Sequence, residues 1–127
     1  MAGTIAADTL THSTAGSLTT DYVVNGSAKA WVNFNGTGTI AARDSLNLSG
    51  LTDNGTGDYT ITFSSAFVDG DYSYAGVGRD GSTTAACVSL KSGATPAASS
   101  IDIVALVPNV ALRDTDRLTL NVFGDLA

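Results

Sequence analysis

Apolar and polar residues alternate along most of this chain with a period of two. From Ala28 to Asn35, the residues Ala28, Ala30, Val32 and Phe34 fall on one side and Lys29, Trp31 and Asn33 on the other. This is the pattern of a half-buried strand, because successive side chains of a strand point to opposite faces. The same spacing returns at Ser45–Ser49 through Leu46 and Leu48, at Asp58–Ser64 through Tyr59, Ile61 and Phe63, and at Thr84–Lys91 through Ala86, Val88 and Leu90. It returns again at Ser100–Val107 through Ile101, Ile103, Ala105 and Val107, where Pro108 ends it by removing a ladder donor. Arg117–Phe123 closes the series with Leu118, Leu120 and Val122, and Tyr72–Val77 is a further strand. Gly36 and Gly38 break the first strand. Gly50–Gly57 reads as a turn, in which Asn54-Gly55 supplies residues that tolerate positive φ. Ser92–Ser99 is a loop of Gly, Ala, Pro and Ser. No stretch keeps a helical period; Val104–Arg113 comes nearest, and Pro108 and Asn109 argue against it. The pattern predicts an all-β fold over residues 28–127. A single β-sandwich of about seven or eight short strands is expected, jelly-roll-like or a small barrel.

Residues 1–27 do not share this pattern. Thr and Ser dominate Thr9 to Thr20, and Tyr22-Val23-Val24 is a short strand candidate closed by Asn25-Gly26-Ser27. The segment reads as an extended anchoring arm or an edge strand. An arm of this length gains order only by docking, on its own domain or on a neighbouring chain.

Composition sharpens the picture. With 127 residues the chain fits one domain that hides roughly two thirds of its unfolded surface. Apolar residues make up 43 %, many of them Ala, so the core must be thin and lean on Val, Ile, Leu and a few rings. Charged residues are 14 %, and Thr, Ser, Asn and Gly fill the gap, which suits hydroxyl-rich sheets and tight turns. The net charge of −6 provides no basic stripe, which argues against nucleic acid and against anionic membrane surfaces as partners. The first residues lack a basic n-region and an apolar h-region, so a product made in a cytoplasm without a secretory signal is expected.

Catalytic chemistry is hard to assemble from this inventory. His12, the one histidine, sits in the polar arm, where a solvated residue is expected rather than a base held beside a nucleophile. Cys87, the one cysteine, excludes an intrachain disulfide and reads as a small buried mid-strand residue. The acidic pairs Asp69/Asp71 and Asp114/Asp116 lack calcium-loop spacing, and all twelve acidic residues are Asp, so turn aspartates are expected and no metal. Asn35-Gly36-Thr37-Gly38-Thr39 is not followed by Gly-Lys-Ser/Thr or by a helix start, so it is a turn rather than a phosphate loop. No cofactor is expected. What remains is aromatic. Trp31 lies opposite the core-facing residues of its strand, and Tyr72 and Tyr74 share a strand face. A subunit interface, the intramolecular core and a sugar platform all stay open for these rings.

One stretch is familiar. Lys29-Ala30-Trp31-Val32-Asn33-Phe34-Asn35-Gly36-Thr37-Gly38, followed by Thr52-Asp53-Asn54-Gly55-Thr56-Gly57-Asp58-Tyr59-Thr60, resembles a module of tailed bacteriophages described as a tail-fibre or virion structural protein. Phe63–Ala75 and the terminal Leu118-Thr119-Leu120-Asn121-Val122-Phe123-Gly124 also fit that family, while residues 1–27 and 79–113 match less closely. The resemblance implies a β-rich, non-enzymatic virion component, a homotrimer with no catalytic residues to carry over. Two roles follow as expectations. The first is a tail-fibre-like module for attachment to the host surface, contacting a cell-surface glycan or protein. The second is a capsid decoration protein of the cement or head-fibre kind that stabilises the phage head. In both, the arm would anchor the chain on other virion proteins of the tail or capsid. Trp31, Phe34 and Tyr22 are the candidate subunit-interface residues. Tyr72, Tyr74, Arg79 and Asp80 are the candidate receptor contacts, with the loops Gly78–Thr83 and Ser92–Ser99 carrying specificity because recognition concentrates in loops.

Overall fold

The computed structural model describes residues 3–81, 84–109 and 111–127. The chain opens with a hairpin of β1 (Thr9–His12) and β2 (Gly16–Thr19), followed by the short helix α1 (Thr20–Gly26). Among the described residues nine strands follow: β3 (Ala30–Asn35), β4 (Ala41–Leu46), β5 (Leu48–Gly55), β6 (Asp58–Phe63), β7 (Ser73–Asp80), β8 (Thr84–Leu90), β9 (Ser100–Val107), β10 (Ala111–Leu112) and β11 (Arg117–Phe123). They form one antiparallel sheet in the order β4-β3-β11-β7-β8-β9-β6-β5, with β10 paired to β9. The two end strands, β4 and β5, are joined at Asn47, whose φ of 58° turns the chain sharply. Asn47 holds that corner by exchanging two hydrogen bonds with the backbone of Ser65, 2.7 and 3.0 Å long. The sheet therefore curls into a nearly closed barrel. The all-β expectation holds, in its barrel-like form.

The inward residues are those the alternation selects. Val32, Phe34, Tyr59, Ile61, Ile101, Ile103, Leu118, Leu120 and Val122 are buried together. Phe34 meets Tyr59 edge to face at 5.3 Å, and Phe63, Phe67 and Tyr72 form a second ring cluster. The barrel is narrow where β7 passes β11. A Cβ on Gly76 would stand 2.5 Å from the carbonyl oxygen of Thr119 and 2.9 Å from the Val88 Cβ. Only hydrogen fits there, so β7 turns Tyr74, Gly76 and Gly78 inward and leaves Ala75, Val77 and Arg79 exposed outside.

Strand directions give the barrel two unlike ends. The arm, the Asn47 corner and the connections 64–72 and 91–99 gather at one end, together with residues 124–127. The turns 36–40 and 55–57 gather at the other, with residues 80–81, 108–109 and 111–116. Three local expectations are corrected. Tyr22-Val23-Val24 is helical, entered from an extended Thr19 and favoured by Asp21 in its first turn. Gly50–Gly57 is mostly the strand β5, because its residues pair with β6 as far as Gly55. The turn itself sits on Gly55 and Gly57, with φ of 133° and 64°, and Asn54 instead donates from its side chain to Thr60 Oγ1 at 2.9 Å. Leu46 points outward, since the left-handed Asn47 and the bulge at Asn33/Phe34 reset the register of β4.

Candidate functional site

At the end away from the arm, the turns are tied to one another. The Tyr59 hydroxyl donates to the Gly36 carbonyl at 2.9 Å and lies 3.4 Å from Asp114 Oδ1. That same carboxylate oxygen accepts the Gly57 N–H at 2.8 Å, and the Gly36 N–H bonds the Thr115 carbonyl at 2.9 Å. Gly36 and Gly57 have no room for a Cβ, which would sit 2.4 Å from Tyr59 Oη or 2.5 Å from Arg113 N. Burial, reinforced by the Asp114 charge, pushes the Tyr59 hydroxyl up to about 12. The hydrogen bonds of this knot tie the turns at Gly36, Gly57 and Asp114–Thr115 to one another. Within the Gly-rich words, Gly36 and Gly57 thus serve close packing, while Gly38 and Gly55 supply positive φ.

The outer face of β6 and β9 carries a polar row. Thr60 Oγ1 donates to Asp102 at 2.5 Å, and Lys91 pairs with Asp58 at 2.7 Å, a contact that raises the lysine's affinity for its proton. The remaining acidic pairs serve turns, as expected: Asp69 accepts the Asp71 N–H, and Asp116 accepts the Gly81 N–H, both at 2.9 Å. Among the described residues no three His, Cys, Asp or Glu side chains gather as a metal would require. His12 accepts backbone hydrogen bonds from Thr14 and Ala15 and so shapes the turn of the first hairpin. No helix among the described residues is long and apolar enough to cross a membrane.

The candidate contact residues divide sharply. Phe34 is 0 % exposed at the barrel centre, so it is not a subunit contact; its side belongs to the core because it alternates with Trp31. Tyr72 is 7 % exposed, packed on Phe63 and Phe67 with its hydroxyl donated toward the carbonyls of Ala97 and Ser100, so it is not a receptor contact. Burial pushes its hydroxyl up to about 12. Tyr74 is half-buried against the core. Arg79 is exposed, and Asp80 is half-buried in an ion pair with Arg113 at 2.7 Å. Tyr72 and Asp80 lie at opposite ends of the barrel, since the eight residues of β7, which starts just after Tyr72 and ends at Asp80, span about 25 Å. The loops Gly78–Thr83 and Ser92–Ser99 are likewise at opposite ends and cannot form one site; Ser82 and Thr83 lie outside the described residues. Trp31 is half-buried on the outer face, paired in register with the exposed Leu46.

Two surfaces expose apolar side chains. The first is the arm, which the sequence presents as a polar anchoring segment. Tyr22 is 70 % exposed, Ile5, Leu10, Leu18, Val23 and Val24 are also exposed, and no residue of β1, β2 or α1 is buried. The second surface crosses the outside of the barrel. Val77 pairs in register with Cys87, Cys87 with Leu106, and Leu106 with Leu112, so four neighbouring strands present one apolar row. Cys87 is exposed in that row rather than buried. The unbroken apolar run Ile103-Val104-Ala105-Leu106-Val107 is the sequence signal for it, since a strand apolar on both faces has something to meet on each. Comparison with protein-family models, curated proteins and solved structures found no match to this chain.

Proposed function

We propose that this chain is a non-enzymatic structural component of a bacteriophage virion. It works as a tail-fibre-like, self-associating module, docked through its N-terminal arm and presenting the far end of the barrel to the host surface. The observation that carries the reading is the arm: a folded hairpin and helix that expose their apolar side chains and leave the barrel without covering it. Exposed apolar surface of this extent marks a docking element. The tied turns at the opposite end suit a rigid contact surface, and the resemblance of the Trp31 and Asn54 segments to phage fibre modules points the same way. Recognition in this reading falls to the turns near Arg79, Asp80 and Arg113. Cell-surface glycan or protein is the ligand class.

The decoration role on a capsid is favoured by a different observation, the apolar row on the barrel wall, which suits copies packed side by side on a shell. Purified protein separates the two. An attachment module binds host cells, and Arg79→Ala weakens that binding. A decoration protein binds particles lacking it, with fixed stoichiometry, and ignores cells. Binding to neither would refute both readings.

A further inference from the structure

The arm and the apolar row differ in charge as well as position. The arm carries Asp8 and Asp21, and no Lys or Arg precedes Lys29. The row is bordered by arginine. Arg79 stands two residues from Val77 on the same outer face, and Arg117 is its direct cross-strand partner. Like charges at directly opposed positions destabilise a sheet. Both arginines are exposed, and among the described residues neither forms an ion pair. In a chain with twelve aspartates, this pair is left without its counter-charge. Beside it, Ala85, Cys87, Leu106 and Pro108 line a shallow apolar depression of about 380 Å³.

We propose that the arm of one copy docks on this row of a second copy. Tyr22, Val23 and Val24 would cover Val77, Cys87 and Leu106, and Asp21 would answer Arg79 and Arg117. The contact is heterologous, one end of a protomer on the wall of the next, so it repeats around a ring until the rotation closes. The inference rests on reading the arm as a docking element and names the surface that receives it.

Sedimentation velocity on the full chain tests it. The wild type is expected to run above monomer mass at tens of micromolar. Val77→Asp, on an exposed strand position that tolerates charge, is expected to weaken association roughly tenfold or more, the effect of removing a central anchor. Leu112→Ser is the second variant should Val77→Asp misfold. Asp8→Arg/Asp21→Arg is expected to weaken association, and adding Arg79→Asp/Arg117→Asp to restore it. Cys87 should react with maleimide more slowly in the assembled wild type than in Val77→Asp. A wild type that is monomeric throughout overturns the proposal, whether its arm is free or folded on its own wall. Loss of assembly in Trp31→Ser but not in Val77→Asp, or a charge exchange that fails to restore it, also overturns it. If Val77→Asp changes nothing while Tyr22→Asp/Val23→Asp abolishes incorporation into particles, the inference fails and the docking role of the arm stands.

Discussion

Tyr59 shows how much one residue can hold. Its ring fills the core against Phe34, and its hydroxyl joins the turn at Gly36 to the Asp114 carboxylate. Removing the oxygen leaves a buried carbonyl unsatisfied, so Tyr59→Phe should cost about 1–3 kcal/mol in urea unfolding. The hydroxyl also sets an alkaline limit. Tyr59 and Tyr72 are both held at about 12 in the fold, above the ordinary 10 of a free tyrosine. Their contribution is complete below pH 10 and is lost as pH rises through 12. Over that window stability should fall by roughly 1.4 kcal/mol per pH unit for each group. Ultraviolet titration should find two of the four tyrosines ionising only as the barrel unfolds, and Tyr59→Phe/Tyr72→Phe should remove that coupling. Gly76 makes the complementary point about space. Its hydrogen faces Thr119 and Val88 with no clearance, so Gly76→Ala should destabilise by about 1–3 kcal/mol through overpacking, read as a lowered urea midpoint.

Among the elements, the arm and the barrel differ in what holds them. The barrel strands share one core, whereas the hairpin and α1 hold mainly each other, through Thr20 N–H to the Asp8 carbonyl at 3.0 Å and Thr20 Oγ1 to the Ala7 carbonyl at 2.8 Å. A seven-residue helix without a buried face is marginal in water. Tyr22→Ser/Val23→Ser should therefore move the barrel's unfolding by under about 0.5 kcal/mol, while Phe34→Ala should cost about 3–5 kcal/mol. Hydrogen exchange should find α1 amides unprotected in the monomer and β6 and β9 amides protected most. The same contrast explains what the sequence disclosed. Strands β3, β6, β8, β9 and β11 were legible to within a residue or two because one face of each is buried and period two records that directly. The helix was not, because Tyr-Val-Val favours strands and nothing packs on it to impose a pattern. The β4–β5 corner was hidden in Asn47, where a single left-handed residue turns what looked like one short strand into the ends of two. Burial of Phe34 followed from alternation. Burial of Tyr72 required the neighbouring Phe63 and Phe67, which come to it from another part of the chain. The apolar row was visible in part, as the two-sided run in β9, but its continuity through Val77 and Cys87 is a matter of register between strands, which no local pattern carries.

For the whole molecule, the barrel is a rigid body with an arm at one end and tied turns at the other. Apolar side chains are exposed both on the arm and on the wall. The central claim is that the arm places it in a virion. The direct measurement is the amount of protein in purified particles when phage carry Tyr22→Asp/Val23→Asp, a change that leaves the barrel core untouched. The account predicts that the variant accumulates in infected cells with an unchanged unfolding midpoint while its content in particles falls at least roughly tenfold, as for loss of central interface anchors. Particles that carry the variant at wild-type level would contradict it.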